Sequence, residues 1–235
     1  MTTLVLVHSP LVGPATWAGV AAHLEALGHA TVVPSLLAAT GAGPPFAGPQ
    51  VEVVAAAVSA SRLDGPFVLV AHSGAGSLLP AIGAALAGRV TSHLFVDAAL
   101  PSPGRSRLDE LHPSVRGHLR AMVDAGGMLP PWHEWWGPGS IDHLVPDPAV
   151  RERVVAELQP IAFALLEEPL PVVEGWPSAP CGYLRLSAAY VAEEATAGGL
   201  GWPVSTLAGT HLELVTAPER VAAAVLDLSR RSRAG

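Results

Sequence analysis

The chain has 235 residues, 50% of them hydrophobic and 14% charged, enough for one large core in a single α/β domain covering residues 1–235. All 13 basic residues are arginines and the formal net charge is -7, so neither nucleic acid nor an anionic membrane is expected as a partner. The single cysteine, Cys181, excludes an internal disulfide framework and fits a reducing, cytoplasmic setting.

The first expected strand, residues 3–7, lacks a basic leader, and its apolar run is too short for a secretory signal. No later stretch approaches the roughly 20 apolar residues of a membrane-spanning helix. After this strand come His8-Ser9-Pro10-Leu11-Val12-Gly13 and a helix over 17–27 that opens on Trp17. A strand at 30–33 and a helix at 50–61 follow. The strand at 67–71 then runs directly into Ala71-His72-Ser73-Gly74-Ala75-Gly76. A serine among very small residues at the end of an apolar strand is the pattern of a nucleophile turn. Its strained backbone lifts the hydroxyl clear of the sheet and tolerates no bulky neighbours. Ser73 is therefore the candidate nucleophile and the Gly74 N–H a candidate oxyanion donor. The same residues also suggest a phosphate-binding loop, but that pattern fails at its third glycine, where Leu79 stands.

A helix is expected over 76–86 and a strand over 93–96, closed by Asp97. The even rhythm then breaks until a strand at 182–186. The intervening segment, about 100–178, holds Leu129-Pro130-Pro131-Trp132-His133-Glu134-Trp135-Trp136 and a helical stretch at 150–158 that continues toward Leu166. It reads as a largely helical lid inserted between two strands, where such folds build their substrate pockets. Trp132 and Trp136 are candidates to line an apolar pocket, and they fit equally well as anchors of the lid. His133-Glu134 lacks the second histidine of a zinc-protease helix, so no metal site is expected. A helix at 190–197, a strand at 204–207, the loop Gly209-Thr210-His211 and a last helix at 218–229 complete the chain. Val221, Val225 and Leu228 recur at helical spacing and would close one face of the sheet. The sum is a three-layer α/β architecture on a mainly parallel six-stranded sheet.

With Ser73 on a strand-turn, His211 before the last helix, and His8 to Gly13 followed by Trp17, the chain resembles the α/β-hydrolase fold superfamily over nearly its whole length. It is most similar to the small lidded members that include plant-type esterases and hydroxynitrile lyases. Relative to larger members it begins at the strand bearing the oxyanion loop, without the leading antiparallel hairpin. The resemblance implies a Ser-His-acid mechanism with no cofactor. His211, on a loop at the sheet's carboxyl edge, would activate Ser73, because a serine hydroxyl is a weak nucleophile at neutral pH.

Two features depart from the family's pattern. The usual acid position, just after the fifth strand, reads Ser187-Ala188-Ala189-Tyr190 with no carboxylate. Asp97 is the favoured substitute, since it ends the strand beside the nucleophile strand; Glu193 and Glu194 are the alternatives. The family's second oxyanion donor falls on Pro10, which has no N–H. Either Leu11 or the Ser9 hydroxyl replaces it, or no full oxyanion is stabilised. The expected activity is hydrolysis of a small, largely apolar ester, thioester or related acyl compound. A lyase or cyclase of specialised metabolism using His211 as acid/base is the rival. The expected partner is a small-molecule substrate, and a homodimer is left open.

Overall fold

A computed structural model describes residues 2–86, 88–177 and 179–234. The two chain ends and Ser178, the expected end of the insertion, lie outside the described residues. Eight strands occur among them: β1 (Thr3–Val7), β2 (Ala30–Val32), β3 (Phe67–Ser73), β4 (Val90–Ala98), β5 (Met128–Leu129), β6 (Ile161–Ala162), β7 (Cys181–Arg185) and β8 (Val204–Thr206). Six of these form one sheet in the order β2-β1-β3-β4-β7-β8, with every neighbouring pair parallel. The six-stranded sheet, mainly parallel in the sequence reading, is parallel at each of its five pairings.

Strand alternation separates two apolar layers. Leu4, Leu6, Val68, Val70, Leu94, Val96 and Leu184 face Trp17, Val20 and Leu24 of the helix Ala15–Ala26 and Val221, Val225 and Leu228 of the helix Pro218–Ala234. The intervening residues Val5, Val7, Leu69, Ala71, Phe95 and Tyr183 meet Val54 and Val58 of the helix Ala47–Ala60 and Leu79 and Ile82 of the helix Leu79–Ala85. Burial of both faces explains why the central strands are continuous apolar runs in sequence.

The strand order reverses between β1 and β3, which creates a crevice at their carboxyl ends. Ser9 and Ser73 emerge there. The segment between β4 and β7 carries its own small core of Leu108, Leu119, Leu129, Trp135, Ile161 and Phe163, closed by Phe46. It is bound to the sheet's upper loops by polar contacts. Glu157 accepts from the Ala15 N–H at 2.7 Å, Glu168 accepts from the Phe46 and Ala47 N–H groups at 2.7 and 2.8 Å, and Gln159 donates to the Leu37 carbonyl at 2.9 Å. Both carboxylates thereby sit at helix N-termini, where the dipole favours negative charge.

The helix expected over 150–158 and onward is shorter, running only Pro148–Val155. Pro160 lies just beyond, and proline disfavours helical geometry at its predecessor while removing a donor. The chain instead forms β6, which pairs antiparallel with β5, and then the short helix Ala164–Glu167.

Candidate active site

Ser73 closes β3 with φ 56 and ψ -130, a left-handed conformation rare for a residue with a Cβ and worth about 1–3 kcal/mol of strain. The turn is over-determined by its surroundings. A Cβ on Gly76 would stand 2.1 Å from the Ala99 carbonyl oxygen, so only glycine lets the segment after β4 cross this closely. Ala71 and Ala75, where the usual pattern has glycine, are both fully buried. The Ser73 residue remains 9% exposed.

Asp97 is placed by a second irregularity. The β3–β4 register steps from His72 opposite Val96 to Ser73 opposite Ala98, leaving Asp97 as the extra residue of a bulge, with φ 43. Bulges re-aim a side chain. This one turns the Asp97 carboxylate toward the end of β7, where Oδ1 accepts from the Leu186 and Ser187 N–H groups at 2.8 and 2.9 Å. Oδ2 accepts from the Ser187 hydroxyl at 2.6 Å and from His211 Nδ1 at 2.8 Å. Burial opposes the charge, but the hydrogen bonds from His211 and Ser187 outweigh it and hold the carboxyl below its ordinary range. The β7 end thus contributes donors to the acid in place of an acid of its own.

His211 is fixed from several sides. Its Nδ1–H is committed to Asp97, and its carbonyl accepts from His72 Nε2 at 2.9 Å. The Tyr190 ring stacks on the imidazole at 5.2 Å between centroids, the His72 ring approaches at 4.5 Å, and Trp132 lies at 6.3 Å. Glu213 steadies the loop by accepting from the Thr210 N–H and from Arg220. Burial and then the neighbouring His211 push the His72 pKa down to about 3, so His72 is a neutral donor here. His211 Nε2 makes no hydrogen bond among the described residues.

The Ser73 hydroxyl makes no hydrogen bond with His211. It lies 3.4 Å from the Tyr190 hydroxyl, a long contact. Burial raises the Tyr190 pKa to about 12, which keeps this phenol protonated beside Ser73. A Ser73–His211 contact would need the serine hydroxyl to turn from Tyr190 toward the free imidazole nitrogen, and in enzymes such contacts commonly tighten only around a substrate.

The loop after β1 is anchored by His8, whose Nδ1–H donates to the Ser9 carbonyl at 2.8 Å while Nε2 accepts from the Leu36 N–H at 2.9 Å. Burial lowers the pKa of His8 to about 4, so it too is a neutral brace. Within the loop the Leu11 N–H is spent on Ser9 Oγ at 3.3 Å, which leaves the Ser9 proton without an acceptor among the described residues. A Cβ on Gly74 would stand 3.3 Å from that oxygen. The Ser9 hydroxyl and the Gly74 backbone therefore share one corner of the site.

Other candidates fall elsewhere. Glu194 is held by Arg185 at 2.6 Å and by Thr206, and Glu193 makes no bond to His211. Trp136 is 53% exposed and stacks on His118, so it is not among the residues around Ser73; the reason is that the three-residue turn Trp132–Glu134 directs its neighbours apart, with Trp135 buried in the insertion's own core. Sequence reasoning did not assign Tyr190 or Arg107, whose guanidinium Nε lies 3.8 Å from where a Gly74 Cβ would be. Nothing in their local patterns marks them. The cleft of about 320 Å³ lined by Pro80, Gly83, Val90 and Trp176 adjoins the opposite end of β4 from Asp97, roughly 23 Å away at strand rise.

No protein-family model and no curated protein sequence matches the chain. Solved structures do match it over nearly full length. An extracellular alpha/beta-hydrolase from a Paenibacillus species, described as sharing structural and functional homology with Tobacco Salicylic Acid Binding Protein 2, superposes with a TM-score of 0.79 at 20% identity, covering 98% of this chain and 100% of that one. A pyrethroid hydrolase from Sphingobium faniae gives 0.71 at 21% identity, with 97% of each chain covered. A variant of tomato methylketone synthase I, complexed with beta-ketoheptanoate, gives 0.65 at 14% identity, with 98% of each covered. The sheet order, the strained strand-turn serine and these superpositions define the class: the chain has the α/β-hydrolase fold. Among the described residues no helix is long and apolar enough to cross a membrane.

Proposed function

We propose that the chain is a serine hydrolase that cleaves a small, largely apolar ester, thioester or related acyl compound, with the segment between β4 and β7 acting as a lid. The observation that carries this reading is the Asp97–His211 pair at 2.8 Å on the same sheet edge as Ser73 in its strained turn. Asp97 fixes the imidazole with Nδ1 protonated, which leaves Nε2 as the base. Ser73 Oγ bonds to the acyl carbon as its proton passes to His211 Nε2. The Gly74 N–H and the Ser9 O–H receive the oxyanion, the second replacing the donor that Pro10 lacks. Collapse breaks the bond to the leaving group, which takes the proton from His211. A water then repeats the sequence against the acyl-enzyme, giving up a proton to His211 and releasing the acid and Ser73.

Trp132 supports an apolar wall, since it packs against both the main core and the insertion's core beside His211. Hydrolysis in heavy-oxygen water tests the reading: the acid product gains one solvent oxygen, and Ser73→Ala abolishes turnover in a protein that stays folded.

The Ser73–Tyr190 contact favours a second reading, a lyase or cyclase in which His211 is the acid/base and the two hydroxyls donate to a substrate carbonyl. Products free of solvent oxygen, with Ser73→Ala slowed but still active and His211→Ala inactive, would establish it.

A further inference from the structure

We infer that Arg107 binds a carboxylate on the acyl part of the substrate, within a few bonds of the reacting carbonyl. This rests on the hydrolase reading above and narrows its substrate class to monoanionic acyl compounds, apolar elsewhere.

Arg107 opens the short helix Arg107–Glu110, after Ser106 and Asp109 form a reciprocal cap. Its side chain reaches back to the nucleophile turn, with Nε 3.8 Å from the position of a Gly74 Cβ and Ser9 Oγ 3.3 Å from that same point. Nε and Nη2 are closed to solvent yet unpartnered, and among the described residues no hydrogen bond or ion pair satisfies this guanidinium. The residue is part-buried, but two closed-off, unpaired N–H groups on a cation carry an uncompensated desolvation cost, so such a group marks a place where an anion binds. Burial lowers its pKa only to about 10, so it is charged at neutral pH.

The nearby charges set the kind of anion. Glu168 and Glu110 act on Arg107 electrostatically, but Glu168 is engaged by the Phe46 and Ala47 N–H groups and neither carboxylate pairs with the guanidinium. Two negative neighbours and one cation favour a single added charge over the double charge of a phosphate. A carboxylate also matches the planar fork of arginine.

Placement sets where the charge sits in the substrate. The oxyanion corner is shared by Gly74 and Ser9, and hydrogen bonds of about 2.8 Å from Arg107 and from Gly74 put the two anionic atoms roughly three to five bonds apart. The leaving group must depart toward His211. Arg107 lies against Gly74 and Ser9, whereas His211 is bounded by Asp97, Tyr190, His72 and Trp132, so we assign the carboxylate to the acyl side.

The test compares p-nitrophenyl hemisuccinate with p-nitrophenyl pentanoate on the wild type, Arg107→Met and Arg107→Lys. The methionine variant keeps the stem and removes the two unpaired N–H groups, which favours folding, and circular dichroism verifies it. The preference in kcat/KM for the anionic ester should fall about 10- to 100-fold in Arg107→Met, the range for losing a charge-assisted bond, and less in Arg107→Lys. Equal losses on both esters would assign Arg107 to the oxyanion instead, and unchanged rates on both would make it a structural residue; either overturns the proposal. Calorimetric titration with monomethyl succinate in the Ser73→Ala background separates this site from the chemistry. Binding that Arg107→Met abolishes sustains the anion site even if the wild type hydrolyses no ester. Inorganic phosphate binding more tightly than monomethyl succinate would contradict the carboxylate assignment.

Discussion

Asp97 Oδ2 and His211 Nδ1 lie 2.8 Å apart although 114 positions separate the two residues in sequence. The contact exists because a one-residue bulge in β4 turns the carboxylate across the end of β7, where two backbone N–H groups and the Ser187 hydroxyl already wait for it. An acid held by four donors is rigid and charged, and it fixes which imidazole nitrogen remains free.

Asp97→Asn should therefore lower kcat by about 10³ to 10⁴ while KM changes little, because an amide no longer enforces the tautomer with Nε2 free. Steady-state kinetics alongside circular dichroism checks this. Glu194→Gln, which loosens only the contacts to Arg185 and Thr206, should leave kcat within about twofold of wild type.

Ser9→Ala removes the hydroxyl that we assign to the oxyanion and should cost about 10² to 10³ in kcat. The loss should fall on kcat rather than KM, since the interaction forms only with the tetrahedral species. A rate unchanged in Ser9→Ala would mean that another donor serves.

Gly76→Ala brings a Cβ to 2.1 Å from the Ala99 carbonyl, a backbone atom that cannot step aside without moving the end of β4. Urea denaturation should show a loss of about 3 kcal/mol or more. Activity should fall with it, because the same movement displaces the Asp97 bulge.

Stability should decline in acid through the buried histidines. Burial lowers His8, His72 and His93 from 6.5 to about 4, 3 and 4. The unfolded chain takes up these protons as pH drops below 6.5 while the folded chain does not, so their contribution is complete above 6.5. It is lost progressively down to about pH 4 for His8 and His93 and about pH 3 for His72, each group adding a slope of up to about 1.4 kcal/mol per pH unit. Asp97, held below its usual range, adds its own loss at still lower pH. Denaturant midpoints measured between pH 8 and 4 should fall below pH 6.5 and stay level above it. The Arg107 charge, unchanged across that range, should take no part.

Much of the sheet is legible in sequence because both faces of its strands are buried, so each central strand is an unbroken apolar run such as Val68 to Ala71. The turn at Ser73 is legible for a related reason: crowding by Ala98 and Ala99 admits only small neighbours. What sequence cannot carry is direction. Asp97, Glu193 and Glu194 are equivalent as residue types, and only the bulge and the competing claims of Arg185 and Thr206 separate them. Pro10 declares a missing N–H, but which group stands in its place depends on the Leu11 N–H being drawn to Ser9. Tyr190 and Arg107 reach the site from a helix start and an insertion, where no periodicity constrains where a side chain points. Pro160 signalled the end of its helix, and the two-residue ladder that replaces it is too short to leave a pattern.

The most direct measurement is intact-mass labelling by a fluorophosphonate of the wild type, Ser73→Ala and Asp97→Asn. One rapid addition is expected in the wild type, none in Ser73→Ala and a slow one in Asp97→Asn. A folded wild type that takes up no label, or a Ser73→Ala variant labelled as fast as the wild type, would contradict it.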